Sequence, residues 1–368
     1  MRITRIVAQL AILLGLASLG QIPHESAYAA TASQDVAVSP QYDTTHVYVA
    51  TEEFDPFVAS LIATFGGTTT KQGVFTVTPT PSSTMSQLVL TPVGTISVFG
   101  FKTPIPYPFG IERTGYLVTD LDGATRAARA AGADVLVSPF DDPIGRGAVI
   151  QWPGGVNMQL YWHTTPPSYP GLQTIPENRV YVSGDRAAAF RRSFVTFSRG
   201  KVISDDPHAP GIEIGRPSDT YRRIRIRSKF GLLTVHVTDG HLPFPYGHEF
   251  TGYEVADLAE TLPKAKAAGA AILAGPYAAD HRNAAMVQFP GGYIAESTIG
   301  RSRCYANRPC VVGNMCLAGC MVCAGVFGAR AIRPHVRPAA RKRGLEFPQG
   351  HEPSPRRLGS TEVHTSRL

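Results

Sequence analysis

Gln159 and Glu296 stand at matching places in two related stretches, QWPGGVNMQL (151–160) and QFPGGYIAES (288–297), which share Gln, Pro, Gly and Gly. A second pair of segments, HVYVATEEF from His46 and RVYVSGDRA from Arg179, also opens on a different chemical group in each copy. An imidazole or a carboxylate can ligate a metal or move a proton. A carboxamide only hydrogen-bonds, and a guanidinium neither deprotonates nor ligates a metal. The chain has no G-x-S-x-G, no phosphate-cradling glycine loop and no H-E-x-x-H. Spacing alone therefore assembles no nucleophile–base–acid set. Glu112 and Glu249 recur within P-x-P-x-G-x-E-x-T-G-Y, on the strand face of Thr114 and Tyr116 that points toward a helix, and read as structural.

The elements that must position these groups come from an internal duplication. Segment 46–67 aligns without gaps to 179–200, and across 114–159 and 251–296 identical residues fill 18 of 46 positions. Each copy is itself two-fold. A short strand of alternating faces (His46 and Tyr48 against Val47 and Val49) precedes a helix at about 52–66. The second half repeats the plan with a helix over 122–132, rich in Ala and Arg and ending at Gly132. Strands such as SQLVLTP, TISVFGF, AVIQW and VNMQLYW follow the helices. The reading is α+β, with four βαβββ modules in two tandem domains, 46–162 and 179–300, joined by a stiff Pro-rich linker over 163–178. Pro-Gly-Gly is then the hairpin between the last two strands of modules two and four.

Bulk properties bound the function. The 12 Lys/Arg and 3 Asp/Glu from Arg301 onward carry the basic character, leaving 23 against 25 in residues 1–300. A nearly neutral body argues against nucleic acid as a partner. MRITRIVAQLAILLGLASLG and Ala27-Tyr28-Ala29 have the layout of a signal peptide over 1–29, followed by a linker over 30–45. A retained membrane anchor is the alternative. Export, periplasmic or secreted, is the expectation. All five cysteines (Cys304, Cys310, Cys316, Cys320, Cys323) lie in the tail 301–368. That tail is expected to be disordered. Two alternatives are a membrane anchor at 311–329, backed by the arginines that follow it, and a metal or disulfide cluster of unfamiliar spacing.

TGYLVTDLDGATRAARAAGADVL followed by AVIQWPGGVNMQLYW resembles the second βαβββ module of the vicinal oxygen chelate superfamily. That group includes glyoxalase I, bleomycin-resistance proteins, fosfomycin-resistance enzymes and extradiol dioxygenases. The resemblance spans 46–162 and 179–299. It implies that paired modules curve into a cup with helices outside, and that a His on an opening strand and a Glu on a last strand hold a divalent ion there. Such an ion polarises neighbouring substrate oxygens.

Carried over residue by residue, the ligand positions of the first cup are His46, Arg113, Gln159 and Phe99. Those of the second are Arg179, Phe250, His236 and Glu296. His248 shares the strand face of Phe250, His241 is a weaker candidate, and Tyr107 and Phe244 are candidates for the cup rim. The candidates for holding Fe, Mn, Ni or Zn are His46, His236 and Glu296, with His248 added if the protein is an enzyme. Neither cup has a full ligand set. Arg179 is expected to pair with Glu296 where the metal would sit, and His46 to face Gln159 through a neutral hydrogen bond.

The resulting expectation is an exported protein that binds a small molecule in one or both cups, with a degenerate metal site and no confident cofactor. The alternatives are a metal-dependent lyase, isomerase or dioxygenase, and a non-catalytic structural or partner-binding protein. Four modules in one chain make a monomer sufficient.

Overall fold

A computed structural model describes residues 35–243, 249–279 and 282–300. The signal-peptide segment, Phe244, His248 and the cysteine tail with 311–329 lie outside the described residues. No helix among the described residues is long and apolar enough to cross a membrane.

Module one comprises β1 (Thr45–Tyr48), α1 (Phe54–Phe65), the short strands β2 (Thr68–Thr69) and β3 (Gly73–Phe75), β4 (Thr84–Thr91) and β5 (Gly94–Phe101). Module two comprises β6 (Arg113–Leu117), α2 (Leu121–Ala130), β7 (Asp134–Asp141), β8 (Gly145–Trp152) and β9 (Val156–His163). Module three runs β10 (Glu177–Ser183), α3 (Ala187–Ser198), β11 (Lys201–Pro210), a 3₁₀ turn (Gly211–Ile214), β12 (Thr220–Ser228) and β13 (Gly231–Thr238). Module four runs β14 (Glu249–Glu254), α4 (Leu258–Ala267), β15 (Ala271–Ala279), β16 (Arg282–Gln288) and β17 (Ile294–Gly300).

The Asp-Leu pair kept in both copies starts a helix each time. Asp120 accepts from the Asp122 N–H and Asp257 from the Ala259 and Glu260 N–H groups, while Leu121 and Leu258 are buried behind them. Such caps are worth about 1 kcal/mol each.

Modules one and two share one sheet, in the order β2-β4-β5-β1-β6-β9-β8-β7, with β3 on β4. Modules three and four form the other, β11-β12-β13-β10-β14-β17-β16-β15. Each opening strand lies parallel to the last strand of its own module and antiparallel to the other opening strand: His46 is opposite Arg113, and Arg179 opposite Phe250. Alternation then sends Val47, Val180 and Val182 to the helix side, and His46, Arg179 and Tyr181 into the cups.

The helices lie outside the cups and between the two sheets. One core joins module two to module three: Trp152, from QWPGG, packs against Phe194 and Phe197 of α3. The other joins module one to module four: Phe289, from QFPGG, packs against Phe57 and Phe65 of α1. A further cluster, with Tyr181, Tyr221, Phe250, Tyr277 and Met286, belongs to the second sheet alone. The Pro-Gly-Gly turns complete the clasp, because a Cβ on Gly154 would lie 2.9 Å from Val182 and one on Gly291 2.7 Å from Val49. Both glycines also have positive φ.

Residues 35–44 are not a free linker. Ala37 bridges Val118, the Gln41 amide holds the Leu117 N–H and C=O, and Asp43 is buried. The second linker ends earlier than the sequence suggests, because Glu177 already belongs to β10.

Glu112 and Glu249 stand between the sheets. Glu249 accepts from the Thr114 N–H (2.7 Å) and hydroxyl (2.6 Å), across from module four to module two. Burial pushes its carboxyl up to about 7, against the pull of Thr114, Arg113 and Asn178. Burial, then the Glu249 charge, raises Glu112 well above its ordinary value. A folded value above the unfolded one means that folding takes up a proton. The stabilising contribution is complete at low pH and is lost as pH rises from the ordinary 4.5 toward about 7. Urea unfolding should show stability falling between about pH 5 and about pH 8, and Glu249→Gln should flatten that fall. An unchanged pH slope in the variant would contradict this placement.

Candidate functional site

The second cup is built around buried charge. Arg179 (1 % exposed side chain) and Glu296 (1 %) form an ion pair through Nη1 and Oε2, and Arg179 Nη2 also donates to Glu177 at 3.2 Å. Glu296 Oε1 accepts from the Tyr277 hydroxyl at 2.7 Å, with Arg282 3.6 Å away. Glu213, from the 3₁₀ turn, pairs with Arg223 and with Arg282 (3.0 Å) and accepts from Tyr221 (3.1 Å). Burial alone would raise the Glu177 carboxyl, but Arg179, Arg282, the Thr234 hydroxyl and Arg225 hold it down at about 2. A Cβ on Gly252 would fall 2.8 Å from the Arg179 guanidinium carbon, so the glycine leaves the space that group fills.

His236 lies in the same cup among Tyr181, Tyr221 and Phe250. Its Nδ1 is 2.9 Å from the Tyr221 hydroxyl, and its buried Nε2 has no hydrogen-bond partner among the described residues. Burial, then the charges of Arg179 and Arg282, push its pKa well below the ordinary value, so the imidazole is neutral. If Tyr221 donates to Glu213, His236 donates from Nδ1 and Nε2 is a bare acceptor walled in by rings.

The first cup uses the same device from the neighbouring strand. Arg113 donates to Gln159 Oε1 from Nε (3.0 Å) and Nη2 (2.7 Å), with its guanidinium between the rings of Tyr48 (5.1 Å) and Phe109 (5.0 Å). The expected bond between His46 and Gln159 is therefore replaced. The carboxamide oxygen is taken by the arginine beside it, and His46 turns to Asp43, with Nε2 3.4 Å from Oδ2. Asp43 also accepts from Ser97 (2.6 Å) and Tyr169 (3.2 Å). Burial opposes its charge, but His46 and Ser97 hold its pKa below the usual value. His46 Nδ1 is buried without a partner among the described residues, over the space left by Gly115.

These donors do not fit a divalent ion. In each cup a guanidinium is bonded to the last-strand oxygen that a metal would need, and it would repel the ion. Each imidazole has one nitrogen engaged, by Asp43 or Tyr221, and one open, so the misfit rests on the guanidinium. Among the described residues no three His, Cys, Asp or Glu converge as a metal site. Of the other candidates, His241 is exposed beside Asp239 (3.8 Å), and Tyr107 is 71 % exposed.

Sequence reasoning missed Asp43, Glu177, Glu213, Arg223, Arg225 and Arg282. Two of them, Arg223 and Arg225, had a visible signal in Y-R-R-I-R-I-R (221–227). Ile224 and Ile226 enter the core between the sheets, which sends Arg223 and Arg225 to the cup side.

A cavity of about 760 Å³ opens at the mouth of the second cup. Its floor carries Glu177, Arg225, Arg282, Gly252 and Thr298, all on cup-facing strand positions. Leu232 and the linker residues Gln173–Pro176 wall it, and Pro92 and Val93 reach it from the β4–β5 turn.

No family model matches the chain, and no curated protein matches it either. Solved structures do. A mutant 4-hydroxymandelate synthase from Streptomyces coelicolor matches at 15 % identity and TM-score 0.50, over 71 % of this chain and 93 % of that one. A 2,2',3-trihydroxybiphenyl 1,2-dioxygenase from Sphingomonas wittichii matches at 14 % identity and TM-score 0.45, over 71 % and 90 %. A Mn(II)-bound glyoxalase from Novosphingobium aromaticivorans matches at 13 % identity and TM-score 0.44, over 72 % and 83 %. At these identities the likeness is one of fold.

Removing one partner of a buried ion pair strands the other charge and costs about 3–5 kcal/mol. Arg179→Met and Glu296→Leu are each expected to destabilise on that scale in urea unfolding. The double variant should recover much of the loss, with a coupling above about 1 kcal/mol. Strictly additive losses would contradict the pair.

Proposed function

For a chain with the vicinal oxygen chelate fold, we propose an exported protein that binds a small molecule in the second cup without a metal ion. The observation that carries this reading is the cavity of about 760 Å³ set over the arginine–glutamate cluster. Its size falls in the range of small-molecule sites, and it combines a few convergent polar groups with apolar walls. The first cup supports a structural part: Tyr48, Phe99 and Phe101 stack within it, and Arg113 is capped by two rings. Export rests on the N-terminal run of two arginines, apolar residues and Ala27-Tyr28-Ala29.

A metal-dependent lyase, isomerase or dioxygenase would need His46, His236 or Glu296 free to ligate. Glu296 is paired with Arg179, and His46 and His236, each with one open ring nitrogen, stand beside a guanidinium that would repel the ion.

Material recovered from outside the cytoplasm, with its N-terminus near Ala30, is the protein to screen. A small-molecule library read by thermal unfolding should contain compounds that stabilise it. A ligand at about 100 times its Kd adds ~2.7 kcal/mol. Leu232→Trp, which fills the cavity from β13, should abolish those shifts. Hits that persist in Leu232→Trp, or no hit at all, would contradict binding in this cup.

A further inference from the structure

Arg225 is out of step with the charges around it. Arg179, Arg223 and Arg282 are each paired with a glutamate. Arg225 is half-buried on β12 and lines the cavity, and its buried Nε, like those of Arg179 and Arg282, has no hydrogen-bond partner among the described residues. Among the described residues it makes no ion pair either. Glu177 is near enough to feel its charge but is engaged by Arg179 and Thr234. Burial holds Arg225 below the ordinary arginine range, and Arg282, Arg223 and Arg179 push the same way.

The cavity walls repeat that imbalance. Three arginines line it (Arg225, Arg227, Arg282) against two glutamates (Glu177, Glu254), and Glu254 is exposed at the end of β14. A buried guanidinium without an acceptor is costly, and its planar fork matches a carboxylate or phosphate group. Beside it, Val93, Ile175 and Leu232 offer apolar surface.

We propose that the mouth of the second cup is an anion-binding subsite. In it Arg225 takes the carboxylate or phosphate group of a small organic anion whose apolar part rests on Val93, Ile175 and Leu232. The proposal deepens the small-molecule reading above and rests on it. No covalent step is involved. The anion supplies the acceptor that Nε and the outer nitrogens of Arg225 lack. The linker and the β4–β5 turn, which come from outside the second sheet, complete the wall that shields it from water.

The test is thermal unfolding of the full chain at constant ionic strength. The probes are acetate, benzoate and inorganic phosphate at about 10 mM each, against chloride, with acetamide and benzamide as neutral counterparts. At least one anion should raise Tm by about 2 °C or more over chloride. The acetate, benzoate and phosphate arms tell a carboxylate from a phosphate ligand. Arg225→Gln should abolish that increment and melt no lower than wild type in chloride, because it removes a cation without a partner. Arg225→Lys, which keeps the charge but loses the fork, should retain a reduced increment. Arg227→Gln, at the exposed rim, should keep it.

Equal anion increments in wild type and Arg225→Gln would overturn the proposal, as would no increment from any anion. If benzamide stabilises and the anions do not, the anion subsite fails while the cavity remains a small-molecule site. If nothing binds and the wider library gives no hit, both fail.

Discussion

A guanidinium inside each cup is the constraint on which the other features depend. A buried arginine needs an acceptor or a counter-charge, or it destabilises the fold. In the second cup Arg179 meets Glu296 and Glu177, and Glu296 in turn binds Tyr277. In the first, Arg113 meets the oxygen of Gln159 between two aromatic faces. The Gln/Glu difference between the repeats follows from this. Arg113 is served by a neutral oxygen and ring faces, whereas Arg179 sits among other arginines and needs carboxylates. Gly115 and Gly252 are kept at matching places because an imidazole fills the space over one and a guanidinium the space over the other.

The two cups are held in place by cores that cross between the repeats. Modules two and three share one core, and modules one and four the other. The repeated Q-[W/F]-P-G-G motif, which looks like a site signature, is the clasp of that arrangement. Its aromatic residue packs on the opposite repeat's helix, and its glycines let the turn approach the opposite opening strand. The chemistry lies four residues further on, at the last-strand position.

Much of this was legible in the sequence. The four modules follow from ungapped internal alignment, and the Arg179–Glu296 pair was expected from the resemblance carried onto matched positions of the repeat. Asp43 was not legible, because it precedes the first strand in a segment with no repeat partner. Glu213 was not, because it arrives on a 3₁₀ turn in a connection. Arg282 was hidden because its counterpart in the first repeat is Gly145, so the duplication gave no hint of a charged group. The partner of Gln159 was misplaced for a simpler reason. His46 and Arg113 lie side by side on adjacent strands, and a residue pattern does not say which side chain reaches an oxygen first.

The central claim is that in each cup an arginine takes the last-strand oxygen and leaves no place for a metal ion. The most direct test is metal content by inductively coupled plasma mass spectrometry. The sample is the full chain, purified without a chelating tag and incubated in turn with Fe, Mn, Ni and Zn. Far less than one tightly held ion per chain should remain in the body, and Glu296→Gln, His236→Ala and His46→Ala should leave the metal content unchanged. One ion per chain that any of those substitutions removes would contradict the account.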